Sequence, residues 1–264
     1  MNMNNFVRLS SLLLVFLLYF LSSSAQTLRI WKNGSQIYSV EVSGVDSVSF
    51  SHKVVASPEL VDLGLSVKWA SFNLGAAKPE ETGDFYMWGE TTTATDRMCS
   101  WITYNYANGA ENKLTKYVPE DKASEYGNDG YSDDKKILEP DDDAAHVALG
   151  GKWRMPTIEE WLELSNNCTW ERTELNGVIG YKVTSRKEAL KGNSIFLPIN
   201  GIHIDDYFRN QDNCYYWSSS LGDSYPYHAK FFISTNAFAP AIKNYRESMD
   251  GVRSAGLTIR PVSD

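Results

Sequence analysis

Residues able to carry acid–base, nucleophilic or metal chemistry are few and scattered in this sequence. The histidines are His52, His146, His203 and His228. They show no metal-type spacing, and the sequence contains no nucleophile-elbow pattern. Ser218-Ser219-Ser220 follows Trp217, but a serine run after an aromatic strand end is far more often structural than nucleophilic. We therefore predict a non-enzymatic protein with no catalytic residues, no metal site and no cofactor.

Two acidic runs provide the hard oxygen ligands that calcium requires, Asp133-Asp134 and Asp141-Asp142-Asp143. The competing interpretation is helix capping at Asp141–Asp143 together with a solvated acidic loop. We favour this second interpretation, because the longer run lies between Pro140 and an alanine-rich segment and so resembles a helix start.

The cysteines Cys99, Cys168 and Cys214 form an odd set. At most one disulfide can form among them, and Cys168 with Cys214 is the expected pair. The alternative, which we favour for each cysteine, is a small buried hydrophobic residue. No two of the three lie within four residues of each other, so their spacing matches no metal motif.

The most promising binding chemistry lies in the aromatic segment from Tyr215 to Tyr245. Aromatic rings beside polar groups suit glycan stacking or protein recognition, since a ring offers area and direction at low entropic cost. Tyr216-Trp217 and Phe231-Phe232 are strand-like, and we expect them to be at least half buried. The part from Gly222 to His228 reads as a loop, in which ring exposure stays open. The predicted ligand-binding residues are Tyr225, Tyr227, His228, Phe238 and Tyr245.

Composition limits the kinds of partner. The chain has 264 residues, 42% hydrophobic and 22% charged, which is enough apolar material for a substantial core. The formal net charge is -8 and the sequence pI is about 5.1. An acidic chain without a basic cluster is a poor candidate for binding nucleic acid.

Residues 1–25 have the pattern of a secretory signal: Arg8, then an apolar run from Leu12 to Leu21, then Ser23-Ser24-Ala25. That run is shorter than the roughly 20 residues of a membrane span, so we expect cleavage and no integral membrane segment afterwards. Export places the protein outside the cell or at its surface.

Residues 26–56 are predicted to form a small β-hairpin unit and linker, because Asn33-Gly34 is a strong two-residue hairpin turn between alternating segments. Residues 57–264 form the main domain. There, one helix is predicted after Pro140, ending at Gly150-Gly151. A second begins at Thr157, where Thr157 and Glu160 have the spacing of a capping box and Ile158, Trp161 and Leu162 share one face.

Between Thr91 and Asp134 the sequence is polar and lacks periodicity, which indicates a long loop region anchored by Trp101, Tyr104 and Tyr106. Short strand patterns resume after Asn166. Few helices with many short strands predict an α+β fold.

Several blocks in the main domain together resemble the Fibrobacter succinogenes major paralogous domain family. In chain order they are Val61–Ala70, Trp153–Thr157 with Glu160, Asn167–Trp170, Gly180–Val183, Asn193–Pro198, Tyr216–Ser220 and Arg253–Val262. The resemblance implies a C-type lectin-like domain with a twisted antiparallel sheet, few helices and long loops that carry the function. It also implies a distant similarity to formylglycine-generating enzymes. Those relatives use a cysteine pair near the C-terminus that has no counterpart beyond Cys214, so their activity does not carry over.

The layout from Trp217 to Val262 is also similar to the C-terminal region of variable proteins diversified by retroelements. That resemblance implies a scaffold of Arg253, Gly256 and Arg260-Pro261-Val262, with Leu221 to Asp250 as a display segment. Arg154 and Arg260 are expected to pair with buried or backbone oxygens.

The sequence thus predicts an exported or cell-surface binding module that recognises a glycan or a protein. A structural component of the cell envelope is the alternative. A divergent enzyme of the formylglycine-generating type is less favoured.

Overall fold

The computed structural model describes residues 27–32, 35–41, 56–209, 212–234 and 252–264. The chain divides between Lys53 and Val54 into two units. In the first, β1 (Thr27–Lys32) pairs antiparallel with β2 (Ser35–Glu41), with Thr27 opposite Glu41 and Lys32 opposite Ser35. The hairpin strands predicted on either side of Asn33-Gly34 are therefore present.

The second unit contains short helices and many short strands. The helices are α1 (Ala123–Tyr126), α2 (Ala144–Leu149) and α3 (Ile158–Asn167). The strands are β3 (Leu60–Val61), β4 (Lys68–Ala70), β5 (Tyr86–Met87), β6 (Trp153–Arg154), β7 (Cys168–Leu175), β8 (Val178–Ser185), β9 (Ser194–Pro198), β10 (Ile202–Ile204), β11 (Tyr207–Arg209), β12 (Cys214–Leu221), β13 (Ala229–Ser234), β14 (Gly256–Leu257) and β15 (Val262–Ser263).

These strands form sheets in the orders β11-β10-β14-β5, β3-β4-β15-β6, β7-β8-β9 and β12-β13. Every paired strand among the described residues runs antiparallel to its neighbour. The α+β class, with mostly antiparallel sheets and few helices, is therefore confirmed. Nowhere in the described ranges is a helix both long and apolar enough to cross a bilayer.

The β12–β13 ribbon separates two hydrophobic cores. Side chains alternate between the two faces of a strand, so Tyr215 and Trp217 enter one core while Tyr216 enters the other. On β13, Phe231 and Phe232 divide in the same way. The predicted burial of these aromatic pairs is confirmed, and it is complete rather than partial.

Helix α3 begins at the predicted capping box. The Thr157 hydroxyl accepts from the Glu160 amide at 3.3 Å, and the Glu160 carboxylate accepts from the Thr157 amide at 2.8 Å. Trp161 is fully buried and stacks on Phe232, with ring centroids 4.6 Å apart. The capping box thus fixes the start of a helix that packs on the ribbon.

Helix α2 begins and ends where the sequence indicates. The Asp143 carboxylate accepts from the amides of Ala145 and His146, and Gly150 at φ 69° follows the last helical residue. The capping part of the prediction is confirmed at Asp143. Asp142 and Asp143 are both buried, and their partners are described below. In the other acidic run, Asp134 is exposed and Asp133 is half-buried.

The loop region between Thr91 and Asp134 is mostly irregular apart from α1 and short 3₁₀ turns. Tyr104 is buried and its hydroxyl donates to the Trp88 carbonyl at 2.7 Å, while Trp101 and Tyr106 are partly buried against it. The predicted aromatic anchors are therefore confirmed.

The cysteines Cys99, Cys168 and Cys214 are all buried free thiols. The expected Cys168–Cys214 disulfide is therefore wrong. Instead, the Cys214 thiol contacts the Pro198 carbonyl at 3.4 Å. Cys168 and Cys214 both lie in the hydrophobic core that contains Trp161. The alternative interpretation, that each cysteine acts as a small buried hydrophobic residue, agrees with this placement.

Candidate functional site

The loop from Gly222 to His228, called the aromatic loop below, joins β12 to β13. Its base is closed by a hydrogen bond from the Gly222 amide to the His228 carbonyl at 2.9 Å. Within it, the His228 amide donates to the Tyr225 carbonyl at 3.0 Å. Pro226, in the middle of the loop, is buried. The two hydrogen bonds and this buried residue make the loop a short, internally bonded structure.

Three of the predicted ligand-binding residues come together on this loop. The ring of Tyr225 stacks on that of Tyr227, with centroids 5.2 Å apart and planes 30° apart. His228 packs edge-on against Tyr227 at 4.2 Å. The Tyr225 side chain is 42% exposed, Tyr227 is half-buried and His228 is 7% exposed. Tyr225 is therefore the ring that faces solvent, and the other two support it.

Two aromatic residues from distant segments support the same loop. The ring of Tyr126, on α1, lies 5.4 Å from Tyr227 and 6.3 Å from Tyr225. Trp101 lies 6.5 Å from Tyr227 and 5.6 Å from Tyr104, centroid to centroid. The position of the Tyr225 ring is thus determined by packing from the loop region before residue 134.

A cleft of about 260 Å³ lies beside Tyr225. Its lining comes from the 3₁₀ turn near Lys122, the segment at Lys136, the first turn of α3, the end of β12 and the aromatic loop. The lining residues are Pro119, Asp121, Lys122, Lys136, Ile137, Glu159, Ser220, Leu221, Gly222, Asp223, Ser224, Tyr225, Pro226 and Lys230.

The charges of the cleft balance. Its lining includes three lysines and three carboxylates, and the Lys230 ammonium lies 2.7 Å from the Asp223 carboxylate. The lysines are Lys122, Lys136 and Lys230, and the carboxylates are those of Asp121, Glu159 and Asp223. Tyr225 and the 47% exposed Ile137 contribute apolar surface. Such a lining offers several donors and acceptors to a small polar ligand without selecting a strong net charge.

The cleft wall at Pro119 follows a residue with unusual backbone geometry. Tyr117 has φ 58°, in the left-handed region that side chains disfavour by about 1–2 kcal/mol. The Asp133 carboxylate holds this geometry by accepting from the amides of Tyr117 and Val118, each at 2.9 Å. Asp133 is therefore occupied in shaping the cleft wall.

Asp142 binds the side chains of the same segment, at Lys116 and Tyr117. Its carboxylate accepts from Tyr106 and Lys116 at 2.7 Å and from the Tyr117 hydroxyl at 2.5 Å. Burial alone raises the pKa of Asp142, but the hydrogen bonds from Lys116, Tyr117 and Tyr106 outweigh it, and the net pKa lies below the ordinary value. Across the described ranges no three His, Cys, Asp or Glu side chains gather as a metal site.

The groups with nucleophile chemistry occupy structural positions. The Cys99 thiol lies 3.4 Å from His203 Nδ1, but burial raises the pKa of Cys99 to about 12, which opposes the reactive thiolate form. The Ser218 hydroxyl donates to the Lys230 carbonyl at 2.6 Å. Each of these groups has a packing or hydrogen-bonding role.

Three arginines, of which Arg154 is half-buried, hold the surrounding backbone. The expected pairing of Arg154 and Arg260 with protein oxygens is present. Arg154 pairs with Glu160 at 2.7 Å and also donates to the Met155 carbonyl. Arg260 is fully buried and donates to Asn73 and to the carbonyls of Ala70 and Phe196. Arg253 is also fully buried and donates to the Pro226 carbonyl of the aromatic loop at 2.9 Å.

Phe238 and Tyr245 lie outside the described residues and stay predictions. The cleft walls around Lys122, Lys136 and Glu159 were not identified from the sequence, because these residues belong to separate segments. Two earlier expectations concern the support of the loop: the anchor role predicted for Trp101, and the scaffold role that the resemblance to variable proteins implies for Arg253. Comparison of the chain with protein-family models, curated proteins and solved structures finds no match.

Proposed function

We propose that this protein is an exported or cell-surface, non-enzymatic module that binds a saccharide in the cleft beside Tyr225. The observation that carries the proposal is the exposed Tyr225 ring, which is held by stacking on Tyr227 at the edge of a polar cleft. A pre-oriented ring can pack on the C–H face of a sugar, while neighbouring polar groups bind its hydroxyls.

The size and charge of the cleft support a small, uncharged polar group as ligand. Its volume of about 260 Å³ is below the roughly 300–1,000 Å³ of drug-sized ligand pockets. Equal numbers of lysines and carboxylates line it. A terminal sugar residue of a longer glycan fits both properties.

The fold proposed from the resemblance is a C-type lectin-like domain of the Fibrobacter succinogenes major paralogous family. Antiparallel sheets, few helices and a long irregular region between Thr91 and Asp134 support it. In such a domain, loops mounted on the sheets carry recognition. The aromatic loop begins directly after Leu221, where the display segment proposed from the variable-protein resemblance also begins.

A protein surface is the second candidate ligand, because Ile137 and Tyr225 are exposed apolar side chains on the same cleft. The polar balance of the remaining lining favours a saccharide over it. The burial of Cys99 and the structural bonding of Ser218 support the absence of an activated nucleophile.

A glycan array and polysaccharide pulldown with residues 26–264 test the proposal, in calcium and in EDTA. We expect a specific saccharide to bind under both conditions. Tyr225→Ala should then weaken binding roughly tenfold, because an aromatic contact contributes about 0.5–1.5 kcal/mol beyond its buried area.

Tyr207→Ala is the matched control. Tyr207 is a 64% exposed tyrosine on β11 and does not line the cleft, so its loss should leave saccharide binding unchanged. Equal effects of the two substitutions, or no saccharide bound at all, would contradict the proposal. Capture of a protein partner lost in Tyr225→Ala would instead favour the second candidate.

A further inference from the structure

The guanidinium of Arg253 is fully buried and hydrogen-bonded to neutral oxygens. Its Nη1 donates to the Pro226 carbonyl at 2.9 Å, its Nη2 to the Lys116 carbonyl at 3.0 Å and its Nε to the Tyr104 hydroxyl at 2.9 Å. Within the part of the chain that the structure describes, no carboxylate pairs with it. A buried cation held in this way is costly unless its donors are satisfied.

Aromatic faces surround the same guanidinium. Its central carbon lies 5.0 Å from the ring centroid of Trp88, 5.4 Å from Tyr104 and 5.8 Å from Tyr117. These distances are within the range of cation–π attraction. The charge of Arg253 is therefore stabilised by rings and carbonyl dipoles.

Each segment that Arg253 binds either lines the cleft or contacts a residue that supports the aromatic loop. Pro226 belongs to the aromatic loop, and Lys116 belongs to the segment that enters the wall at Pro119. Tyr104 packs on Trp101, which in turn contacts Tyr227. The backbone of Arg253 adds another bond, since its amide donates to the Tyr227 carbonyl at 3.0 Å.

We propose that Arg253 is the positioning residue of the ligand site and fixes the aromatic loop so that the Tyr225 ring stands beside the cleft. Its effect on binding rests on the proposed function; its effect on the loop does not. The fork of the guanidinium is essential, because its donors diverge towards three separate segments. A lysine ammonium is a compact charge that cannot span them.

Arg260 provides a matched comparison. It is also fully buried and also donates to neutral oxygens, but these belong to Asn73, Ala70 and Phe196. None of these residues lies on the aromatic loop or lines the cleft. Arg253→Lys and Arg260→Lys therefore remove similar interactions in different places.

Amide hydrogen exchange of the ligand-free chain tests the proposal without a known ligand. We expect both variants to be less stable than the wild type. Only Arg253→Lys should accelerate exchange at the His228 and Gly222 amides, by about tenfold or more, because it removes hydrogen bonds from a charged donor. Equal exchange at these amides in the two variants would overturn the proposal.

Tyr104→Phe tests the same relationship if Arg253→Lys does not fold, since it removes the hydroxyl that accepts from Arg253 Nε and donates to the Trp88 carbonyl. Faster exchange at His228 supports the positioning role, and unchanged exchange refutes it. A saccharide found by the array should bind Arg253→Lys about tenfold more weakly than Arg260→Lys. If no saccharide binds the wild type, the proposed function fails, while the exchange result still decides the role of Arg253.

Discussion

Gly222 and His228 meet so closely that no side chain fits between them: a Cβ on Gly222 would lie 2.9 Å from both the Cβ and the carbonyl oxygen of His228. The same carbonyl accepts the Gly222 amide. The closure of the aromatic loop thus depends on a glycine at its first position.

Gly222→Ala should therefore displace His228 and tilt the loop. We expect stability to fall by about 1–3 kcal/mol, the usual cost of overpacking, and saccharide binding to weaken. Urea unfolding and the binding assay measure the two effects. Gly177→Ala is the control: Gly177 has φ 85° but open space around it, so the substitution should cost about 1 kcal/mol through backbone strain and leave binding unchanged.

The ion pair between Asp142 and Lys116 predicts an acid-sensitive contribution to stability. Because the folded-state pKa of Asp142 lies below its ordinary value, its stabilisation is complete above the unfolded-state pKa of about 3.9. It is lost as the pH falls through the folded-state value. Asp142→Asn should be less stable than the wild type near neutrality, and the difference should shrink towards about pH 2.

The free energy of unfolding of the wild type and of Asp142→Asn is measured by urea unfolding at each pH. The difference between the two values gives the contribution of the Asp142 charge. This matters because burial raises the pKa of the neighbouring Asp143, which makes the stability due to that residue fall as pH rises through its raised pKa. A difference that stays constant between pH 2 and pH 7 would show that the Asp142 charge contributes nothing.

The capping box at the start of α3 predicts that two substitutions of Thr157 lower the stability by different amounts. Thr157→Ala removes the hydroxyl that accepts from the Glu160 amide and should cost about 1 kcal/mol of unfolding free energy. Thr157→Ser keeps an accepting hydroxyl and should retain most of that stability. Equal losses in the two variants would assign the effect to the methyl group rather than to the cap.

Because the three cysteines are buried, we predict that their thiols react slowly with alkylating reagents in the folded protein. Burial raises the pKa of Cys99 to about 12 and that of Cys168 to about 11, and it raises that of Cys214 as well. Alkylation at neutral pH should therefore be slow in the native state. In denaturant without reductant, intact mass should show three alkylated thiols; one alkylated thiol would instead indicate a disulfide.

Local features were predictable from the sequence because the residues that form them are close together. Thr157 with Glu160, and Asp143 with Gly150, mark helix boundaries through contacts within a few residues. The α+β class follows from many such short segments. The burial of Tyr216 and Trp217 was also predictable. Their assignment to two different cores was not, because it depends on what packs against each face of β12.

The candidate site could not be predicted in the same way, because it is formed by residues that are far apart in the sequence. Asp142 was expected to take part in helix capping, but its buried carboxylate instead binds Tyr106, Lys116 and Tyr117, which lie between 25 and 36 positions away. The cleft brings Lys122, Lys136 and Glu159 together from separate segments. No periodicity or motif indicates that these segments lie together, so the sequence predicted a ligand-binding role for Tyr225 without predicting the cleft beside it.

Strands β14 and β15 lie inside two of the sheets, between β10 and β5 and between β4 and β6 respectively. When the chain emerges from its N-terminal end, as in synthesis or export, the strands that flank them emerge earlier than β14 and β15. Folding of these two sheets can finish only after Leu257 and Val262 have also emerged. A chain cut before residue 256 would expose open strand edges and would be a substrate for aggregation and proteolysis.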